Sequence, residues 1–218
     1  MKYLRIRPIA AVVILYSVLS GIVSGQAGPS TSSGKRFKRI VVRGAMVVDG
    51  SGKPAAGPFD IVVEDGVIRQ IAGFDPVAAN EGKARRPEKG DLEIDAAGKY
   101  VLPGLINLHG HTQDERAGVP MPVEYVTKLW LACGITTVRD AWASKKVLAF
   151  RDQINAGTLV GPRIFPYGGY FDAPTPATAE QARQRVRDLK AAGYDGIKLY
   201  TIDRDLMAAM MDEAKKQG

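Results

Sequence analysis

The sequence is poor in cysteine and histidine, the side chains on which disulfides and most zinc sites depend. Its 218 residues include one cysteine, Cys133, and two histidines, His109 and His111. A single cysteine excludes an internal disulfide. Its position beside Leu129 and Trp130 predicts a thiol packed on the apolar face of a helix rather than a nucleophile. Any histidine-based site must therefore lie at one place in the chain.

Long apolar runs are also lacking. The longest, residues 9–23, follows a start with three basic residues and precedes small residues at 25–27. Because about 20 apolar residues are needed to span a bilayer, this pattern predicts a secretory signal peptide over residues 1–27. A retained membrane anchor is the alternative. We therefore expect a secreted or periplasmic protein that meets a membrane only during export.

Aromatic residues are scarce where the positive charge is concentrated. The formal net charge is +7, and much of it lies in the leader and in residues 35–39, where Phe37 is the single aromatic. A nucleic-acid surface needs basic residues interleaved with aromatics over one face, so we expect no nucleic-acid partner. Residues 28–35 form a linker rich in Gly, Pro, Ser and Thr, and the rest has an ordinary globular composition.

Short β-branched stretches separated by turns follow the linker. Residues 39–48 and 59–71 predict antiparallel strands, and Asp65-Gly66 predicts a hairpin turn within the second stretch. Residues 74–90 carry Pro, Gly and mixed charges and predict a surface loop. Residues 92–94 predict one further strand.

Strand and helix patterns alternate from Tyr100 onward, which favours parallel βα units. The predicted strands are 100–109, 135–139, 163–170 and 196–200, and the predicted helices are 123–133, 146–155, 179–192 and a stretch through 206–214 that ends at Gly218. Thr178 and Gln181 form a capping-box pair at the start of the third helix. The chain thus contains four predicted βα units.

His109 and His111 end the first of these strands. Residues i and i+2 face the same side of a strand, so both imidazoles are expected to point into one space, where they suit a zinc-type ion. The C-terminal ends of strands are where α/β barrels carry out chemistry. On spacing alone, two histidines on a solvated strand are an equally good interpretation.

A longer pattern surrounds the two histidines. It consists of Ile94-Asp95, then Gly98-Lys99-Tyr100-Val101-Leu102-Pro103-Gly104-Leu105-Ile106-Asn107, then His109-Gly110-His111. This pattern resembles the first barrel strand of the metal-dependent amidohydrolase superfamily. The segments 136–140 and 196–200 most resemble its imidazolonepropionase-like and prolidase-like members. Asn107 stands where the family usually has aspartate, a departure that does not fall on a ligand.

The resemblance implies an α/β fold with two parts. Residues 36–99 would be the N-terminal part of a small β-sandwich domain. Residues 100–218 would be the first four βα units of a TIM (β/α)8 barrel, the first half of a metal-dependent hydrolase barrel. A complete barrel has eight such units, so we expect a truncated barrel.

Lys198 is the third candidate ligand. Alternation along residues 196–200 places it on the opposite side from Ile197 and Leu199, and these residues alone favour a lysine that reaches water. The resemblance implies instead that carbon dioxide carbamylates Lys198 and that the carbamate bridges two metal ions, whose positive charge it helps to balance.

Other polar residues near the expected barrel mouth receive no catalytic role. Asp140 ends the second predicted strand, where a carboxylate most often orders a loop or caps a helix. Tyr167, Tyr170 and Tyr200 lie near the same mouth, and we expect them to pack in the core. No catalytic residue is assigned, because the family's remaining histidines and its aspartate base come from later strands.

The resemblance implies a hydrolase of carbon–nitrogen bonds in small amides, cyclic amides or peptide-like substrates. Two divalent ions, Zn²⁺ or else Mn²⁺ or Fe²⁺, would activate a water and polarise the bond that it attacks. Two alternatives stay open: an inactive truncated fragment with at most weak metal binding, and a phosphotriesterase-like hydrolase. The β-rich N-terminal segment is typical of the amide-cleaving branches. The oligomeric state is not predicted.

Overall fold

The computed structural model of the protein describes residues 37–169, 174–200 and 202–218. The signal peptide and linker predictions lie outside these residues, as does Tyr170. Among the residues described, no helix is long and apolar enough to cross a membrane.

Strands and helices follow one another in the order that the sequence patterns predict, with several additions. The strands are β1 (Arg39–Val47), β2 (Ala56–Glu64), β3 (Val67–Gly73), β4 (Leu92–Asp95), β5 (Tyr100–Val101), β6 (Leu105–Gly110), β7 (Glu115–Arg116), β8 (Val119–Pro120), β9 (Ile135–Asp140), β10 (Arg163–Gly168) and β11 (Gly196–Ile197). The helices are α1 (Pro76–Asn80), α2 (Val123–Ala132), α3 (Lys145–Ala156), α4 (Ala179–Ala191) and α5 (Arg204–Gln217).

The first sheet has five strands in the order β3-β2-β1-β4, with β5 also paired to β1. The strands β1, β2 and β3 are antiparallel, as predicted, whereas β4 and β5 run parallel to β1. Asp65 and Gly66, both at positive φ, form the predicted turn between β2 and β3. Buried Ala45, Ile61 and Ala96 form the core of this sheet. The second layer of a sandwich stays a prediction.

An ion pair with a buried carboxylate attaches the segment after β3 to this sheet. Asp60 is 1% exposed and accepts hydrogen bonds of 2.8 and 2.7 Å from Nε and Nη2 of Arg86. Arg86 also lies over the ring of Phe74, 4.1 Å from its centre. The loop predicted at 74–90 contains the short helix α1, which Asp75 caps by accepting hydrogen bonds from two backbone amides.

The second sheet has four parallel strands in the order β11-β10-β9-β6, which is their order in the sequence. Two buried clusters attach the helices to one face of it. One cluster includes Val147, Ile164 and Leu189, and the other includes Val186 and Met210. The fold is therefore mixed α/β, with an open parallel sheet built from consecutive strand and helix units.

Helix boundaries agree closely with the sequence pattern. The amide of Gln181 donates a hydrogen bond of 3.2 Å to Thr178 Oγ1 at the start of α4, as the capping box predicts.

Cys133 does not lie in the predicted apolar environment. It follows α2 and is exposed. Its neighbour Leu129 is 49% exposed. The predicted packing of Cys133 is wrong because no other described element covers this side of α2.

The single strand predicted at residues 100–109 is also wrong. Its first two residues are β5 and pair with β1 of the first sheet, and its remainder, β6, pairs with β9 of the second. Pro103 lies between them and has no amide to donate to a sheet. Gly104 approaches Thr136 so closely that a Cβ atom would lie 1.9 Å from the Thr136 hydroxyl oxygen. The chain therefore changes sheets at residues 102–104.

Candidate metal centre

His109 and His111 lie side by side at the C-terminal end of β6. Their ring centroids are 5.3 Å apart and their planes are inclined by 14°. The amide of His109 donates a hydrogen bond of 3.0 Å to Asn107 Oδ1, which orders the backbone just before the pair. His109 is exposed and His111 is half-buried. The i, i+2 spacing thus brings the two imidazoles together, as the sequence predicts.

Lys198 reaches the same end of the sheet from the opposite strand. Strand β11 is shorter than predicted, but the amide of Lys198 still donates a hydrogen bond of 2.7 Å to the carbonyl of Gly168 at the end of β10. Ile197 and Leu199 pack against the helix clusters. The predicted alternation is therefore confirmed, since Lys198 lies between two residues that face the helices.

A row of ring contacts connects Lys198 with the histidines. The Trp142 ring lies 5.7 Å from that of His111 and meets that of Tyr200 edge-on, with centroids 6.0 Å apart. Lys198 Nζ lies 5.6 Å from the centre of the Tyr200 ring. Successive ring contacts therefore link Lys198 to the histidines, and Tyr200, which is 48% exposed, takes part in this row rather than packing in the core.

The sequence did not predict that Trp142 lies beside the histidines. The carboxylate of Asp140 holds its backbone in place. Asp140 is 0% exposed and accepts hydrogen bonds from the amides of Trp142, at 2.9 Å, and Thr112, at 2.6 Å. Asp140 thus orders the loops, as predicted. The Asp140-x-Trp142 spacing is that of an Asx-turn, a signal that could have indicated the position of the indole.

A cavity of about 710 Å³ opens beside the histidines. Strand β7, the turn that follows it and one side of α2 form its walls, with Arg116, Tyr125 and Trp130 among the lining residues. The sequence did not predict this hairpin. Its turn places Ala117 at φ 50° and Gly118 at φ 78°, and alanine at positive φ is an uncommon signal.

Charged groups border the site on two sides. The hydrogen bond from Lys146 lowers the pKa of Asp114 from its ordinary value, and this pair joins the start of α3 to the loop after His111 at 2.8 Å. Arg139 donates a hydrogen bond of 2.6 Å from Nε to the carbonyl of Leu108 and lies 5.5 Å from the centre of the Tyr167 ring. The guanidinium group of Arg139 therefore lies between β6 and β10, just before the histidines.

The chain is similar to several known proteins over part of their length. No protein-family profile matches the chain. The dihydroorotase of Trichlorobacter lovleyi is 32% identical over 139 residues, which cover 59% of this chain and 29% of the relative. The D-hydantoinase of Rhizobium radiobacter is 25% identical over 190 residues, which cover 82% of this chain and 38% of the relative. A crystal structure described as a prolidase from Bifidobacterium longum is 30% identical, with a TM-score of 0.64, over 83% of this chain and 48% of that one.

The chain is therefore similar to part of a dihydroorotase, a D-hydantoinase and a prolidase, and its structural neighbours include members of the amidohydrolase superfamily. It spans 29% of the length of the first of these relatives and about half that of the prolidase structure. Other solved chains with this fold, one of them described as an amidohydrolase, are 22% identical and show the fold alone. The resemblance inferred from residues 94–111 is thus confirmed at the level of the superfamily.

The donor groups of this chain suit a divalent ion but form only part of a ligand set. Within residues 37–169, 174–200 and 202–218, no three His, Cys, Asp or Glu side chains are grouped so that they could hold an ion. His109 and His111 provide two near-parallel imidazoles that open onto one cavity, whereas a catalytic zinc site uses three protein ligands. Imidazole nitrogen is a preferred zinc donor, so the residues present fit the ion.

Proposed function

We propose that the protein containing this chain is a metal-dependent hydrolase that cleaves carbon–nitrogen bonds in small amides, cyclic amides or peptide-like substrates. The observation that carries the proposal is the pairing of His109 and His111 at the C-terminal end of a parallel strand. The similarity to a dihydroorotase, a D-hydantoinase and a prolidase supports the bond type.

The proposed architecture extends the sheet that the structure describes. We take β6, β9, β10 and β11 as the first four strands of an eight-stranded barrel, because they are parallel and lie in sequence order. Residues 36–99 then begin a β-sandwich domain. Residues 1–27 act as an export signal, which makes the protein secreted or periplasmic.

In the proposed site, His109 and His111 would hold one divalent ion, and Lys198, carbamylated by carbon dioxide, would be a ligand shared with a second. Starting from the ammonium form, that reaction would form a bond between Lys198 Nζ and the carbon of CO₂ and release two protons to water, which turns a cation into an anion. Bound divalent ions supply Lewis-acid polarisation of the scissile group and activation of a water. Zn²⁺, Mn²⁺ and Fe²⁺ all accept such donors.

The aromatic residues that line the cavity would position the substrate. The aromatic wall that includes Tyr125, Trp130 and Trp142 lines the cavity beside the imidazoles. Apolar rings exclude water and offer flat surfaces for a cyclic or side-chain group. We expect a substrate that is small enough for the cavity and that presents its amide towards His109 and His111.

We propose further that residues 1–218 alone are inactive. Three protein ligands can hold one ion, but among the residues that the structure describes the second ion would have only the carbamate of Lys198 as a ligand. A phosphotriesterase-like activity is the remaining alternative. The N-terminal sheet and the similarity to the three named relatives favour carbon–nitrogen bonds over it.

The deciding experiment compares substrate classes with the natural full-length protein. After removal of metal by a chelator, hydrolysis of a hydantoin, a dihydropyrimidine, Xaa-Pro dipeptides and a phosphotriester is measured with and without added Zn²⁺ or Mn²⁺. We expect metal-dependent cleavage of at least one amide and its loss in both His109→Ala and His111→Ala. The surface variant Asp114→Asn is the control. Metal-independent turnover, or cleavage of the phosphotriester alone, would contradict the proposal.

A further inference from the structure

Asp140 connects the two backbone segments on either side of His111. The amide of Thr112, the residue after His111, donates a hydrogen bond of 2.6 Å to Asp140 Oδ2. The amide of Trp142, whose ring lies 5.7 Å from that of His111, donates one of 2.9 Å to Oδ1. A single buried carboxylate therefore fixes both the turn that carries His111 and the indole beside it.

Few other contacts fix this turn. The register between β6 and β9 is interrupted between Asn107 and Gly110, which is where His109 lies. The Thr112 hydroxyl is buried and has no hydrogen-bond partner among the residues that the structure describes, so the side chain of Thr112 does not attach the turn. The amide of Ala141 donates to the carbonyl of Gly110 at 3.0 Å. That bond, the bond from Arg139 Nε to the carbonyl of Leu108 and the two bonds to Asp140 join the strand ends.

We infer that Asp140 is a positioning residue whose carboxylate sets the orientation of the His111 imidazole and thereby the affinity of the centre for a divalent ion. The inference rests on the proposed role of His109 and His111 as ligands. Asp140 acts through backbone amides, because each of its oxygens already accepts one. Hydrogen bonds to an ionised acceptor are the stronger kind, and groups that orient metal ligands typically change metal affinity about 10–100-fold.

The test uses Co²⁺ as the probe and the natural full-length protein stripped of metal. Visible absorption of bound Co²⁺ reports both its affinity and the geometry of its ligands, without any turnover. In Asp140→Asn, the side-chain amide turns a donor toward the Thr112 amide, so one of the two bonds is lost. We expect the Co²⁺ dissociation constant to rise about tenfold or more and the absorption bands to change shape.

Two further variants separate positioning from charge and from folding. Asp114→Asn removes a carboxylate from the same loop region, but that carboxylate pairs with Lys146 instead of the turn backbone. We expect it to leave both affinity and spectrum unchanged. Asp140→Ser keeps an acceptor within reach of the Trp142 amide and is used beside Asp140→Asn, with circular dichroism and thermal melting as checks of folding.

The outcomes separate a failure of the Asp140 role from a failure of the metal centre. Unchanged Co²⁺ affinity and spectrum in folded Asp140→Asn and Asp140→Ser would overturn the positioning role and leave the metal centre intact. An equal loss in Asp114→Asn would overturn it too, because charge alone would then explain the effect. If His109→Ala and His111→Ala bind Co²⁺ as the parent does, the proposed centre fails and the inference with it.

Discussion

The ammonium group of Lys198 lies 5.6 Å from the centre of the Tyr200 ring. Tyr200 in turn contacts Trp142, and Trp142 contacts His111. The rings of Tyr200 and Trp142 therefore lie between the lysine and the histidine. A row of ring contacts thus links Lys198 to His111. In the proposed site, a carbamate on Lys198 and the ions that it would bind join the two residues.

Replacing Lys198 by alanine should lower the metal content of the natural full-length protein from about two ions per chain towards one or none, because the bridging ligand is lost. Elemental analysis after dialysis measures the stoichiometry. Lys128→Ala, which changes an exposed lysine on α2, is the matched control and should retain both ions. An unchanged metal content in Lys198→Ala would mean that the lysine is an ordinary residue at the end of a strand.

Local signals predicted the parts of the fold that depend on neighbouring residues. Asp65-Gly66 specifies its turn because both residues accept positive φ, and Thr178 specifies the start of α4 by capping it. Spacing also predicted the pairing of His109 with His111, because i and i+2 share a side of a strand.

Contacts between distant segments explain what the sequence did not predict. The change of sheet at residues 102–104 depends on pairing of β5 with β1, more than fifty positions earlier. The role of Asp140 depends on the Thr112 amide, 28 positions away, and that of Trp142 on Tyr200. No periodicity in a single segment encodes such partners, because tertiary packing selects them.

The buried hydroxyl of Thr112 should be dispensable for folding. It has no hydrogen-bond partner among the described residues, and burying a hydroxyl without one costs about 1–3 kcal/mol. Thr112→Val should therefore raise the free energy of unfolding by about 1 kcal/mol, with the backbone bond to Asp140 kept. Urea denaturation measures the change.

Thr127→Val is the matched control for that substitution. The Thr127 side chain is also buried, but its hydroxyl donates a hydrogen bond of 2.7 Å to the carbonyl of Val160. We expect this variant to lose about 1 kcal/mol. Equal destabilisation by both substitutions would show that the Thr112 hydroxyl has a partner after all.

Export should remove the first 27 residues. The apolar run at 9–23 is too short to span a bilayer of ordinary thickness, and Gly25 and Ala27 have the small side chains that signal peptidase requires. Mass spectrometry of the exported protein should find Gly28 at the N-terminus. Ala27→Arg should block cleavage and leave the precursor attached to the membrane. A mature protein that still begins with Met1 would support the retained anchor instead.

The outer strand β6 should promote self-association of the 218-residue polypeptide. Leu105, Ile106 and Leu108 are 58%, 62% and 60% exposed, and β6 has no partner on its outer side among the strands described. A lysine on an exposed edge opposes pairing with another chain, so Ile106→Lys should increase the monomer fraction in size-exclusion chromatography. Tyr125→Lys removes a similarly exposed apolar side chain from α2 and should have a smaller effect. An equal increase in monomer fraction for both variants would indicate non-specific association of apolar surfaces rather than strand pairing.

Asp60 should make the N-terminal sheet sensitive to acid. Burial raises the pKa of Asp60, but hydrogen bonds from Arg86 and the Gly44 amide, with the charges of Arg86 and Arg43, outweigh burial and lower that pKa below its ordinary value of 3.8. A carboxyl group with a lowered pKa in the folded protein stabilises it above the unfolded pKa, and this stabilisation is lost as pH falls through the folded pKa. Asp60→Asn should cost about 2 kcal/mol at neutral pH, because the guanidinium groups of Arg86 and Arg43 lose the charged acceptor that they share.

The pH dependence distinguishes this ion pair from a packing defect. The difference in unfolding free energy between the parent and Asp60→Asn should stay constant from neutral pH down to about pH 4, then shrink as the parent carboxylate takes up its proton. Glu81→Gln, which removes an exposed partner of Lys83, should change stability little at any pH because solvent screens such pairs. Urea denaturation at a series of pH values measures both variants. A gap that persists undiminished well below pH 3.8 would mean that the substitution destabilises the sheet through lost packing, with the charge of Asp60 contributing nothing.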